Sequence, residues 1–244
     1  MEIIVCKDYA EMSARAAEII ARQIQDKPDC ILGLATGSTP IGTYDRLVQM
    51  AEGGEVDFSR VRTFNLDEYY PLAPTDPQSY HYFMNEHLFS RVGLPAERTH
   101  IPDGQASDPD AYGAAYDAAI RAAGGIDLQL LGIGRNGHIG FNEPAETLIA
   151  GTHLTPLTED TIRANARFFA SPSDVPTQAI SMGMASIMGA RNILLLISGK
   201  DKREALAALR TDGITTACPA TLLKLHPSVT VLCDREAYAN ESCH

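Results

Sequence analysis

Six short apolar runs, at 3–6, 30–35, 61–66, 128–132, 193–198 and 229–233, recur at intervals long enough to hold a helix. Most are apolar throughout rather than alternating, the pattern of strands covered on both faces. Parallel neighbours of that kind cannot be joined by hairpins, so the chain between them must cross over, and it carries helical period there. Residues 9–25 place Met12, Ala16, Ile19, Ile20 and Ile24 on one stripe, with Asp8 ahead of them as an N-cap. Thr39 and Pro40 open a second helix, with Pro40 at the first helical position. Two more are expected at 79–89 and 110–123, the latter stopped by Gly124-Gly125. A helix at 200–210 follows the fifth run, and a shorter helical segment at 219–225 precedes the last. The expected fold is α/β, a single domain over 1–244: an open, mostly parallel twisted sheet with helices on both faces, Rossmann-like. Residues 143–170 show no strand pattern, which predicts a loop with a short helix, a lid candidate within 143–170.

Composition narrows the function classes. Twenty basic against 31 acidic residues leave a net charge of −11, with no Lys or Arg block to offset it. Nucleic acid and anionic membrane surfaces are therefore poor partners. The apolar runs, such as 193–197, fall far short of the roughly 20 residues that cross a bilayer. Residues 1–9 carry Glu2 and Asp8 and no basic region, so no secretory signal is expected. Cys6, Cys30, Cys218, Cys233 and Cys243 form neither C-x-x-C nor zinc-like spacing. Reduced thiols in or beside apolar runs point to the cytoplasm.

In an open parallel sheet, ligands bind outside the carboxyl ends of the strands, so each strand exit is informative. The second run leaves through Thr36-Gly37-Ser38-Thr39-Pro40. Gly37 allows close backbone approach, the hydroxyls can donate, and a helix N-terminus follows: a phosphate cradle without Walker spacing. A capped helix start after a tight turn is the plain alternative. The third run leaves through Asp67-Glu68-Tyr69-Tyr70. An acidic pair is commonly a helix cap or solvated turn, yet an Asp beside a phosphate cradle stands where a general base must be. The fourth exit, residues 132–144, presents Asn136, His138, Asn142 and Glu143 among four glycines. A lone His is usually structural; one in a Gly-rich turn near a carboxylate is a better acid/base group. Arg167, beside Phe168 and Phe169, and Lys200 and Lys202 at a helix start offer local cations to a phosphate. His81 and His87, six apart, do not make a two-His metal face, and Met182, Met184 and Met188 are core filler.

Taken together and in this order, Thr36-Gly37-Ser38-Thr39-Pro40, Phe64-Asn65-Leu66-Asp67-Glu68-Tyr69, Gly137-His138-Ile139-Gly140-Phe141-Asn142-Glu143-Pro144 and Asn165-Ala166-Arg167-Phe168-Phe169 resemble the glucosamine-6-phosphate deaminase family. That family is related in fold to 6-phosphogluconolactonase. The resemblance implies conversion of D-glucosamine 6-phosphate and water into D-fructose 6-phosphate and ammonia, in amino-sugar catabolism, with no metal or organic cofactor. It implies that Asp67 moves the C2 proton toward C1. It also implies that His138 opens the pyranose ring with support from Glu143 and Asn136, and that Thr36, Gly37, Ser38, Thr39, Arg167 and Lys202 grip the phosphate, with Lys200 the competing choice for the last. Many relatives have Asp where this chain has Asn136. An amide cannot carry the charge that stabilises imidazolium, but it can hydrogen-bond the ring and fix its tautomer. Family members activated by N-acetylglucosamine 6-phosphate carry basic residues where His153 and Thr155 stand, so activation is not expected. The oligomeric state is not legible. A lactonase on the same fold would share the phosphate grip, but Asp67-Glu68-Tyr69 and Phe141-Asn142-Glu143-Pro144 favour the deaminase. A non-catalytic sugar-phosphate sensor would need none of Asp67, His138 and Glu143.

Overall fold

The structure, a computed structural model, describes residues 1–166, 169, 171 and 174–239. In chain order its strands are β1 (Glu2–Cys6), β2 (Ile31–Leu34), β3 (Arg62–Asn65), β4 (Asp67–Tyr70), β5 (Thr99–His100), β6 (Leu128–Leu131), β7 (His153–Pro156), β8 (Gln178–Ser181), β9 (Asn192–Ile197) and β10 (Val229–Asp234). The α-helices are α1 (Tyr9–Asp26), α2 (Ile41–Glu52), α3 (Tyr80–Met84), α4 (Pro109–Ala122), α5 (Glu159–Asn165), α6 (Met184–Met188), α7 (Arg203–Leu209) and α8 (Arg235–Tyr238). One sheet runs β1-β10-β9-β6-β2-β3-β5 with every pairing parallel. A second, antiparallel sheet runs β4-β8-β7.

The parallel sheet contains all six apolar runs, and its two faces are built from alternate residues of the same strands. Leu194 and Leu196 join α1 and α2 on one side, where Met12, Ala16, Ile20 and Ile24 form the buried stripe of α1. Ile193, Leu195 and Ile197 pack on the other side with Tyr116 and Ile120 of α4 and Leu206 of α7. Reciprocal capping fixes the entry of α1: Asp8 accepts from the Glu11 amide at 2.9 Å, and the Lys7 amide donates to Glu11 Oε2 at 2.6 Å. Cys6, Cys30, Cys218 and Cys233 are buried free thiols; burial pushes Cys30 up to about 12 and Cys233 to about 11. Met182 and Met184 are buried in the second core, whereas Cys243 lies outside the described residues.

Several boundaries differ from the expectation. Pro40 is the cap residue and the helix begins at Ile41, while the next expected helix turns from α3 into a π-helical turn at Asn85–Phe89. The helix expected at 110–123 is α4, and the one at 200–210 opens with a 3-10 turn, Lys200–Lys202, before α7. The reading of 143–170 as a strandless loop is corrected: β7 lies within it and pairs with β8 from Gln178 to Ser181. His153-Leu154-Thr155-Pro156 lacks an apolar run because it pairs on one side only, at the end of a three-stranded sheet. The short helix expected there is α5.

Strand order places the site. From β2 the chain moves outward through β3 to β5, returns to the other side of β2 at β6, and moves outward again through β9 to β10, which lies beside β1, the first strand of the chain. The reversal between β2 and β6 opens a crevice at their carboxyl ends, the position where such sheets bind ligands.

Candidate active site

The loop after β2 forms one wall of that crevice. Gly37 has φ 89°, a left-handed backbone that a side chain would strain. On the outer side of the loop the Tyr9 hydroxyl donates toward the carbonyls of Ser38 and Thr39, at 3.2 and 3.0 Å, and accepts from the Gly42 amide at 2.9 Å. The Tyr44 hydroxyl donates to the Ala35 carbonyl at 2.5 Å. α2 starts with no side-chain cap, so its first turn presents backbone donors and a positive dipole end to the crevice. Thr36, Gly37 and Thr39 are half-buried here and Ser38 is exposed.

β4 carries the acidic pair. Its alternation sends Asp67 and Glu68 to opposite faces of the small sheet, and the two carboxylates meet different surroundings. Both oxygens of Glu68 are occupied: they accept from the amides of Tyr69 and Tyr80 at 2.9 Å and of His81 at 3.0 Å, and Oε2 lies 2.9 Å from His81 Nδ1. Glu68 therefore caps α3, twelve residues downstream, and accounts for His81. Asp67 is 7% exposed and its carboxylate makes no hydrogen bond among the described residues. Burial, with Glu68 alongside, pushes its carboxyl up to about 8.

Opposite stands the Gly-rich loop. Asp67 pairs in register with Ser181 of β8, and the Ser181 hydroxyl accepts from the Phe141 amide at 3.0 Å, drawing residues 138–143 toward Asp67. Gly140, at φ 59°, passes so close that a Cβ there would lie 3.5 Å from Asp67 Oδ2. Gly134 is also constrained: a Cβ would fall 2.4 Å from the His138 ring. His138 Nδ1 lies 3.1 Å from Glu143 Oε2, which also accepts from Asn136 Nδ2 at 2.7 Å. Asn136 Oδ1 in turn accepts from the His138 amide at 3.2 Å. The amide of Asn136 therefore holds the carboxylate and the loop backbone rather than the imidazole ring, which corrects the sequence expectation. The other oxygen, Glu143 Oε1, accepts from Thr158 Oγ1 at 3.3 Å and from Thr161 Oγ1. Burial raises the Glu143 carboxyl, but hydrogen bonds from His138, Thr161 and Asn136 and the charge of His138 outweigh it and hold the group at about 2.

The cationic candidates divide. Lys202 is half-buried, its Nζ 4.0 Å from Asp201, whereas Lys200 is exposed. Asp201 also receives Arg135 of the Gly-rich loop at 2.9 Å, so the loops after the neighbouring strands β6 and β9 are joined. Arg167 lies outside the described residues. A cavity of about 310 Å³ borders the cradle, with Gly37 and Ser38 on one side and Tyr69, Tyr80, Asn165 and Phe169 among its other walls. Asp67 and His138 are not among its lining, so the acid/base groups sit beside this space rather than within it. Thr158, Thr161 and Ser181 were not singled out by sequence reasoning, and Glu68 only as half of an acidic pair. Only Thr158 left a signal, a hydroxyl residue ahead of acidic residues at a helix start.

The family described as glucosamine-6-phosphate isomerases/6-phosphogluconolactonase matches residues 7–232. A glucosamine-6-phosphate deaminase of Halothermothrix orenii is 56% identical over 237 residues, covering 97% of this chain and 98% of its own. One from Thermoanaerobacter pseudethanolicus is 54% identical, with 97% and 94% covered. Among solved structures, a monomeric glucosamine-6-phosphate deaminase superposes with a TM-score of 0.95 at 46% identity, covering 97% of this chain and 98% of that one. A 6-phosphogluconolactonase of Thermotoga maritima superposes at 0.73 with 24% identity, covering 96% and 98%, a likeness of fold.

Proposed function

The chain belongs to the family of glucosamine-6-phosphate isomerases and 6-phosphogluconolactonases, and we propose that it converts D-glucosamine 6-phosphate and water into D-fructose 6-phosphate and ammonia. The observation that carries this is the presence, in one crevice, of two carboxylates in opposite states: buried Asp67, without a hydrogen-bond partner among the described residues, and half-buried Glu143, fully hydrogen-bonded. An aldose-to-ketose shift with loss of an amine requires two separate proton movements, and these groups divide them.

In the first, the cyclic sugar opens. With Nδ1–H donated to Glu143, the His138 ring presents Nε2 as a base, which takes the proton of the O1 hydroxyl and returns it to the ring oxygen. In the second, Asp67 takes the proton from C2 of the open aldehyde and returns it at C1, while O1 gains the proton that the substrate ammonium gives up, leaving a C2 iminium that water hydrolyses to the ketone and ammonia. A carboxylate at about 8 is a stronger base than an ordinary one, which suits a carbon acid. Thr36, Gly37, Ser38, Thr39, Lys202 and Arg167 hold the phosphate in this reading, and the half-burial of Lys202 favours it over Lys200. The substrate partner is a small amino-sugar phosphate. The segment 143–170 acts as a lid within a single domain. No helix among the described residues is long and apolar enough to cross a membrane, and buried free thiols support a cytoplasmic assignment.

The test is ammonia release from glucosamine 6-phosphate with fructose 6-phosphate formed in equal amount. Hydrolysis of 6-phosphogluconolactone without ammonia release would replace this reading with a lactonase.

A further inference from the structure

We propose that Thr161 is a positioning residue for ring opening: its hydroxyl fixes the plane of the Glu143 carboxylate, so that Oε2 stays in line with His138 Nδ1. The proposal rests on the ring-opening reading of His138 given above.

The terminal torsion of a glutamate is broad and roughly two-fold, so a carboxylate held through one oxygen alone can rotate about its last bond. At Glu143 the gripped oxygen is Oε2, which receives Asn136 and His138. Those two donors come from the same loop as Glu143 and move with it. Oε1 is held from elsewhere, by Thr161 and Thr158 at the start of α5. Thr158 already has a structural task, since it caps α5 by accepting from the Thr161 amide at 3.3 Å. Thr161 has no such task on its side chain: its hydroxyl lies 3.1 Å from that of Thr158 and donates to Glu143. Thr161 is 5% exposed, so water does not substitute readily for the lost donor.

Four donors fill the acceptor sites of one carboxylate, two on each oxygen, which leaves a single orientation. That orientation selects the imidazole tautomer with the proton on Nδ1 and the lone pair on Nε2, the form that can take a proton from the sugar. Remove the Thr161 hydroxyl and the carboxylate keeps its charge but gains freedom, and the ring loses its fixed tautomer.

The experiment compares wild type, Thr161→Val and Thr161→Ser, as full chains. Valine keeps the shape and loses the hydroxyl; serine keeps the hydroxyl. Nitrogen-15 NMR of the histidine rings, with the His138 signals identified by comparison with His138→Gln, reads the tautomer in the absence of substrate. Wild type and Thr161→Ser should show the Nδ1–H form, and Thr161→Val a mixture. In parallel, kcat for glucosamine 6-phosphate should fall roughly tenfold in Thr161→Val, with KM within about twofold, and recover in Thr161→Ser. An unchanged tautomer in Thr161→Val overturns the proposal, as does a Thr161→Ser variant that is equally slow, because the cause would then be packing. If wild type releases no ammonia, the proposed reaction fails, while the tautomer comparison still decides the role of Thr161.

Discussion

Asp67, buried, and Glu143, half-buried, are carboxylates on facing walls of one crevice, and the protein treats them in opposite ways. Around Glu143 it arranges donors from two segments; around Asp67 it arranges no hydrogen bond among the described residues and a second carboxylate, Glu68, as the next residue. One group is thereby kept an anion at every working pH, and the other exchanges its proton near neutrality. Chemical identity does not separate their tasks. The number of donors supplied by the surrounding backbone and side chains does.

The contrast breaks most severely at Asp67. Asp67→Asn should lower kcat by about 10³- to 10⁴-fold while leaving KM nearly intact. The same change should stabilise the fold in alkaline solution. A carboxyl that ionises near 3.8 when unfolded and near 8 when folded binds more protons in the folded state between those values, so its contribution to stability declines as pH rises through that window. The denaturation midpoint of Asp67→Asn should therefore exceed that of wild type at pH 9 by more than at pH 5. An equal gap at both would mean that Asp67 is not buried as an acid.

Glu143 should respond with the reverse sign. Its folded value of about 2 lies below an unfolded 4.5, so its contribution is complete above 4.5 and is lost as pH falls through about 2. Glu143→Gln should lose activity by about 10²-fold and flatten the acid side of the stability profile. Unchanged acid stability would show that the four donors do not discriminate between acid and anion.

A smaller effect sharpens the comparison. Removing the neighbouring charge with Glu68→Gln should lower the Asp67 ionisation, and the acid limb of kcat/KM should move downward relative to wild type. An upward move would mean that loosening of α3 outweighs the charge. Smallest of all is the effect expected of N-acetylglucosamine 6-phosphate, which should leave a hyperbolic rate curve unchanged. His153, which the resemblance places where activated members would be basic, is 9% exposed and has Nδ1 2.9 Å from the Gly151 carbonyl, so it is not presented to an anion. Sigmoidal kinetics relieved by that compound would overturn this expectation.

The parallel sheet was legible because burial on both faces writes an apolar run into each strand. The antiparallel sheet was not, since Asp67-Glu68-Tyr69-Tyr70 and His153-Leu154-Thr155-Pro156 carry no such run and their common partner, β8, is remote in sequence from β4. For the same reason Asp67 could be read as a strand exit but not as a strand residue facing Ser181. The acidic pair held both readings offered for it: Glu68 caps a helix, though not an adjacent one, and Asp67 does not. Asn136, His138 and Glu143 fall within one loop and could be grouped by spacing, whereas Thr161 reaches Glu143 from the far side of β7.

The sheet order has a consequence for how the chain is made. Among the described residues β1 lies at an edge and pairs only with β10, Glu2 opposite Thr230 through Cys6 opposite Asp234. The earliest of these strands to be synthesised must therefore wait for the latest, while β2 and β3 can pair as soon as both emerge. Throughout translation Ile3-Ile4-Val5-Cys6 remains an unpaired apolar edge, the kind of segment that captures neighbouring chains. The charges that follow at once, Lys7, Asp8 and Glu11, act as gatekeepers during that wait.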